Sequence, residues 1–111
     1  MTLLLGLLIG CGPTCQTTCR RVYVDCGIEK TGQSQSELIG ECTRECEAAL
    51  NVAGDLEGYE PDIRRTTAES ITLETDSQAA AWMDCVWDHA PDATSEQCLE
   101  LDPRTGYCAP I

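Results

Sequence analysis

The sequence predicts a mainly α-helical, disulfide-rich domain: an antiparallel helical hairpin stapled by cysteines, completed by a third helix. Nine of the 111 residues are cysteine, and a fraction of about 8% is typical of short secreted disulfide scaffolds. Six of these cysteines lie between Cys11 and Cys46, and two pairs among them have the four-residue spacing of one helix face. A chain of 12.0 kDa forms one small domain at most, whose modest core benefits from crosslinks.

The first helix is predicted over residues 13–26. Pro13 suits a first helical position, and Gly27 suits the left-handed cap that follows a helix. One stripe of this helix would carry its cysteines and a valine: Cys15, Cys19, Val22 and Cys26. The residues around Tyr23 also suit a strand, which is the alternative for the second half of the segment.

The second helix is predicted over residues 35–52. Ser34 and Glu37 have the spacing of a capping box, in which each side chain accepts a hydrogen bond from the other residue's backbone N–H. Gly54 is the expected stop. The expected inner face comprises Leu38, Cys42, Cys46, Ala49 and Ala53. The residues expected to face water are Glu37, Glu41, Arg44, Glu45 and Glu47.

Two disulfides, Cys15–Cys46 and Cys19–Cys42, are predicted to join these helices. Each helix carries two cysteines four residues apart, about 6 Å along its axis. In an antiparallel hairpin they meet as two rungs, whereas a bond within one helix would constrain little. Each cross-helix bond contributes about 3–4 kcal/mol through the unfolded state. The geometry is similar to that of the twin Cys-x-x-x-Cys hairpins of small mitochondrial intermembrane-space proteins.

Residues 1–10 include the apolar run LLLGLLIG, which has the length of a signal-peptide core and is too short to span a bilayer. The stretch Leu8-Ile9-Gly10-Cys11 resembles the lipobox of bacterial lipoproteins. The resemblance implies removal of residues 1–10, a diacylglycerol on the Cys11 sulfur, and a mature domain over residues 11–111. It covers the processing site only. The alternative is that the apolar run is retained and packs into a core or an assembly contact.

The third helix is predicted over residues 76–89. Thr75 and Gln78 have the spacing of a second capping box, and Pro91 ends the helical pattern. One face would comprise Trp82, Cys85, Val86 and His89.

Two further segments flank the third helix. Residues 70–75 alternate polar and apolar side chains, which predicts a short strand or an extended arm across the helices. Residues 94–97 have the spacing of a third capping box, which predicts a short final helix carrying Cys98.

Four cysteines remain once the hairpin is formed and Cys11 is assigned to a lipid. We predict Cys26–Cys85, which would dock the third helix on the hairpin, and Cys98–Cys108, which would close the C-terminal tail locally. Four cysteines allow three pairings, so the other two combinations stay open.

The composition argues against several ligand classes. A formal net charge of −12 repels nucleic-acid phosphates and anionic lipid surfaces, so membrane contact is expected only through the N-terminus. No cofactor is predicted. Zinc or an iron–sulfur cluster is a minor alternative for the cysteines, because His89 is the only histidine and the ligand spacing fits loosely. Calcium bound by the acidic loop 55–62 is a second alternative, and it is a minor one because the EF-hand spacing is absent.

His89 and Trp87 are the candidate functional residues of the third helix. His89 could act as a general base, but no nucleophile has a recognisable setting nearby, and interaction with the helix C-terminus is favoured. Trp82 is expected in the core. Trp87 is the candidate for a partner contact, because tryptophan is favoured at binding hot spots. No catalytic residue is predicted, and the chain is not expected to be an enzyme.

The sequence therefore predicts a lipid-anchored, disulfide-stabilised protein of the cell envelope, on the periplasmic or outer face. It would act as a structural or protein-interaction module with an unknown protein partner. The alternative is a secreted subunit without a lipid, which uses its intact apolar N-terminus to contact a larger assembly. Self-association is open in either case.

Overall fold

The fold is a helical hairpin with a third helix packed against it. The computed structural model describes residues 13–63, 72–90, 101 and 106–109. The helices are α1, Cys15–Arg20, which continues as a π-helical segment, Arg21–Asp25; α2, Gln35–Leu50; and α3, Asp76–His89. Helix α1 packs against α2, and α3 contacts both. The predicted mainly helical fold class and the hairpin are confirmed, and no strand occurs in these ranges.

Helix α1 begins with a threonine pair. The Thr14 hydroxyl accepts the Thr17 N–H at 3.1 Å, and the Thr17 hydroxyl accepts the Thr14 N–H at 3.0 Å. An N–H group of the first turn, which has no acceptor within the helix, is thereby satisfied. Pro13, predicted at the first helical position, instead lies one residue before this cap.

The π-helical segment that extends α1 is closed by a glycine. The Cys26 N–H donates to the Arg21 carbonyl at 2.8 Å, which is the five-residue spacing of a π-helix. Gly27 follows with φ of +69°, a left-handed conformation that glycine adopts without a Cβ clash. The predicted glycine cap is confirmed, and the alternative of a strand around Tyr23 is wrong.

Helix α2 begins at the predicted capping box. The Glu37 N–H donates to Ser34 Oγ at 3.2 Å, and the Ser34 N–H donates to Glu37 Oε1 at 3.0 Å. Hydrogen bonds from the Ser34 backbone, and then from its side chain, lower the pKa of the Glu37 carboxyl below its ordinary value of 4.5. The helix ends at Leu50, two residues before the predicted end, so Ala53 is exposed in the following loop. The inner face consists of the buried Leu38, Cys46 and Ala49 and the half-buried Cys42.

Gly54 has a packing role, where a helix stop was predicted. A Cβ at this position would lie 2.5 Å from Thr75 Cγ2, so the close approach of the loop to α3 requires glycine. The Gly54 N–H donates to Asp76 Oδ1 at 3.2 Å, and its carbonyl accepts a hydrogen bond from Ser77 Oγ at 2.6 Å. These contacts tie the loop after α2 to the first turn of α3.

Helix α3 has the predicted bounds and a variant of the predicted capping box. Thr75 Oγ1 accepts the Gln78 N–H at 3.2 Å. The Gln78 side chain reaches further back, because its Oε1 accepts the Glu74 N–H at 2.9 Å and its Nε2 donates to the Leu56 carbonyl at 3.0 Å. Gln78 is buried, so its amide links the start of α3 to the loop after α2.

Residues 72–74 form an irregular segment against α2, where a short strand or an extended arm was predicted. Leu73 is buried, and its N–H donates to Glu45 Oε1 at 2.9 Å. Glu45, which was expected to face water, is half-buried for this reason.

The core lies where the three helices meet the loop between α2 and α3. Its largest fully buried side chains are Tyr59, Leu101, Val86, Thr18, Cys19 and Cys46. Trp82 is buried, as predicted. None of the helices described is both long and apolar enough to cross a bilayer.

Candidate functional site

Two disulfides fix the helical hairpin. Cys15 is bonded to Cys46 and Cys19 to Cys42, with Cα–Cα distances of 5.7 and 6.0 Å. The partners follow in opposite order along the two helices, so α1 and α2 are antiparallel, and both predicted pairings are confirmed. With all four sulfurs in crosslinks, this part of the molecule offers no thiol for chemistry.

The other two predicted pairings are wrong, because Cys85 is bonded to Cys108 with a Cα–Cα distance of 5.6 Å. This excludes both Cys26–Cys85 and Cys98–Cys108. The Pro61 carbonyl accepts the Cys108 N–H at 2.9 Å and holds the tail against the face of α3 that carries Cys85. Cys26 is also disulfide-bonded.

His89 lies one helical turn after Cys85, beside the Cys85–Cys108 disulfide. Its ring stacks on Tyr107, with the centroids 4.6 Å apart and the planes 22° from parallel. Tyr107 also forms an isolated backbone bridge with the buried Leu101. Aromatic stacking therefore orients the imidazole at the end of α3.

The side chains of Cys85, His89 and Cys108 form a compact group of potential metal ligands. One ligand atom from each lies within 4.8 Å of the other two. Both cysteines are buried and His89 is half-buried. No other group of three histidine, cysteine or carboxylate side chains is this close in the part of the chain that the structure describes. The acidic loop 55–62 thus gathers no such set, and its geometry gives no support to the calcium alternative.

Trp87, the predicted partner-contact residue, has two partners within the molecule. Its Nε1–H donates to Thr18 Oγ1 at 3.0 Å, and the Arg21 guanidinium lies 4.4 Å from the indole centroid. Arg21 is also 3.5 Å from the Asp25 carboxylate. Trp87 is half-buried and joins α3 to α1, while its role in partner binding stays a prediction.

Large apolar side chains are exposed at the end of α2 and in the loop that connects α2 and α3. The exposed fractions are 42% for Leu50, 50% for Val52, 42% for Leu56 and 55% for Ile63. Three of these residues lie between positions 50 and 56, where Asp76 anchors the loop by donating its N–H to the Val52 carbonyl at 2.8 Å. Sequence reasoning missed them, although Leu50 and Val52 lie off the predicted inner face of the second helix.

The group around His89 was also missed, although its signal is present in the sequence. Cys85 and His89 are four residues apart on a helix, a spacing that places two metal ligands on one face.

Cys11 and the apolar run before it lie outside the described ranges, so the lipobox prediction stays a prediction. Comparison with known protein families, with curated proteins and with solved structures found no match for this chain.

Proposed function

We propose that this chain is a lipid-anchored protein of the cell envelope that serves as a rigid structural or protein-interaction module. One observation carries the proposal: every cysteine in the described ranges is disulfide-bonded. Such bonds form and persist in oxidising compartments outside the cytoplasm. In a chain of this size they also supply the rigidity that a small core does not.

The proposed anchor is a diacylglycerol on Cys11. It is supported by the resemblance of Leu8-Ile9-Gly10-Cys11 to a lipobox and by the apolar run before it. Helix α1 begins at Cys15, four residues after Cys11, so an anchor at Cys11 would be attached close to the start of the hairpin. Because a net charge of −12 repels anionic headgroups, the lipid itself has to provide the membrane contact.

The partner surface proposed for this module comprises Leu50, Val52 and Leu56, in addition to the predicted Trp87. These three side chains are at least 42% exposed. Exposed apolar side chains of this kind mark interaction sites, because a partner that covers them removes apolar surface from water. They follow Cys46, whose disulfide to Cys15 fixes this end of α2. A rigid support of this kind lowers the entropy cost of binding.

The second candidate function is that of a secreted subunit without a lipid. In that case residues 1–10 stay on the chain and contact a larger assembly or further copies of the protein. The exposed apolar side chains at the α2–α3 connection favour this candidate equally, since an assembly would bury them.

The experiment that separates the two candidates is mass spectrometry of the protein isolated from its native membrane or culture medium. Lipid anchoring predicts a new N-terminus at Cys11 that carries acyl groups, and loss of the membrane fraction in Cys11→Ser. An intact Met1 in the mature protein would instead support the secreted subunit. Non-reducing peptide mapping provides a second test, because a disulfide from Cys26 to Cys11 would exclude the lipid.

A further inference from the structure

We propose that the Cys85–Cys108 disulfide masks a zinc site, which forms with Cys85, Cys108 and His89 as ligands when the disulfide is reduced. The three ligand atoms already lie within 4.8 Å of one another. Ligand atoms around a tetrahedral Zn²⁺ are about 3.5–3.8 Å apart, given Zn–S and Zn–N distances of about 2.3 and 2.0 Å. Once the S–S bond is broken, side-chain rotation is enough to reach this arrangement.

Contacts that do not depend on the S–S bond hold the three ligands together. Cys85 and His89 are fixed four residues apart on one face of α3. Cys108 is held by its backbone, because its N–H donates to the Pro61 carbonyl at 2.9 Å. Its neighbour Tyr107 stacks on the His89 ring at a centroid distance of 4.6 Å. Reduction therefore frees two sulfur ligands without releasing the backbone segments that carry them.

The chemistry balances with a dithiol as the reductant. Two thiol–disulfide exchanges transfer two electrons to the Cys85–Cys108 bond, leave both cysteines as thiols, and convert the dithiol to its own disulfide. Zn²⁺ then displaces one proton from each thiol, and the neutral His89 imidazole provides the third ligand. A water molecule would take the fourth position of a tetrahedral site.

The hairpin disulfides are expected to resist a limiting amount of reductant better than Cys85–Cys108. The rungs Cys15–Cys46 and Cys19–Cys42 lie side by side between the same two helices. When one rung opens, the other keeps the two thiols close, and this high effective concentration favours closure. In the described ranges Cys85–Cys108 has no parallel disulfide of this kind.

The test is stepwise reduction of the oxidised full chain by a dithiol, with alkylation and peptide mapping to identify the opened bonds. The reductant is then removed under anaerobic conditions, and Co²⁺ is added as a spectroscopic probe, followed by Zn²⁺. We expect Cys85 and Cys108 to be freed before the four cysteines of the hairpin rungs. We also expect tetrahedral Co²⁺ absorption with thiolate-to-cobalt charge transfer, and protection of both thiols from alkylation by Zn²⁺.

The decisive variant is His89→Ala, which keeps every cysteine and can be checked for native folding in the oxidised state by circular dichroism. Its Co²⁺ affinity should fall by at least about 100-fold, because loss of an indirect partner of a ligand already costs 10- to 100-fold. Asp88→Ala, at an exposed neighbouring position, is the matched control and should bind as the wild type does. Equal binding by His89→Ala, failure of the reduced wild type to bind Co²⁺, or earlier opening of the hairpin rungs would each overturn the proposal.

Discussion

The indole N–H of Trp87 donates to the hydroxyl of Thr18, 3.0 Å away, across the contact between α3 and α1. Thr18 is fully buried, so this bond satisfies a hydroxyl that water does not reach. We expect Trp87→Phe to keep an aromatic ring beneath the Arg21 guanidinium but to lose the hydrogen bond. The free energy of unfolding should fall by about 1–3 kcal/mol, as measured by chemical denaturation.

The control for Trp87→Phe is Thr18→Val, which removes the acceptor and keeps the shape of the side chain. The double variant should be less destabilised than the sum of the two single variants, because both changes break the same bond. Strict additivity would show that the hydrogen bond does not contribute to stability.

Removal of either hairpin disulfide should destabilise the fold by a similar amount. The rungs close loops with sequence separations of 31 and 23 residues, for which unfolded-chain entropy gives about 3–4 kcal/mol each. We expect Cys15→Ser/Cys46→Ser and Cys19→Ser/Cys42→Ser to lower the denaturation midpoint to a comparable extent. Non-reducing peptide mapping of each variant checks that the other rung is intact, and an unchanged midpoint would contradict the entropic role.

Replacement of the buried, uncharged Gln78 amide should lower the free energy of unfolding. Gln78→Leu removes the partly buried hydrogen bonds of the Gln78 amide to the Glu74 N–H and the Leu56 carbonyl, each of which contributes about 0.5–1.5 kcal/mol. The matched control is Gln33→Leu. In the part of the chain that the structure describes, the Gln33 amide donates a hydrogen bond only to the exposed Glu41 carboxylate. Thermal or chemical unfolding should show a clear loss for the first variant and a small change for the second, and equal effects would contradict the assignment.

The Glu37 capping box predicts a specific dependence of stability on pH. Because its hydrogen bonds lower the pKa of Glu37 in the folded chain below the ordinary 4.5, the ionised carboxylate stabilises the folded state. This contribution is fully present above the unfolded pKa and is lost as the pH falls through the folded pKa. Carboxyl-detected NMR titration should find the pKa of Glu37 below 4.5, and Glu37→Gln should flatten the loss of stability in acid.

Ser34→Ala provides the control for this titration. It removes Oγ but keeps the backbone N–H, which is the largest cause of the lowered pKa. Most of the lowering should therefore persist in this variant. A pKa of Glu37 at or above 4.5 in the wild type would rule out the capping box in solution.

The sequence predicts those parts of the fold that depend on local chemistry. The starts of α2 and α3 follow from cap residues within one turn, and the hairpin rungs follow from two cysteine pairs with matching spacing. The bond from Cys85 to Cys108 could not be predicted in this way, because it depends on where the Pro61 carbonyl meets the C-terminal tail. That position is set by long-range packing, including burial of Tyr59, which periodicity does not report.

The candidate site shows the same division between local and long-range causes. The four-residue spacing of Cys85 and His89 is visible in the sequence. The position of Tyr107 and Cys108 next to them depends on long-range packing and is not. Trp87 lies off the main buried stripe of α3 and was therefore assigned to the surface. The crossing of α1 and α3 brings Thr18 and Arg21 to it, and no pattern along a single helix contains that information.

Helix α1 has six α-helical residues followed by a five-residue π-helical segment. Isolated helices shorter than about 12–15 residues are marginal in water, so α1 depends on its two bonds to α2. Formation of the hairpin is consequently expected to be coupled to oxidation of its cysteines. The oxidant that the newly made polypeptide meets would then help to determine when and where this part of it folds.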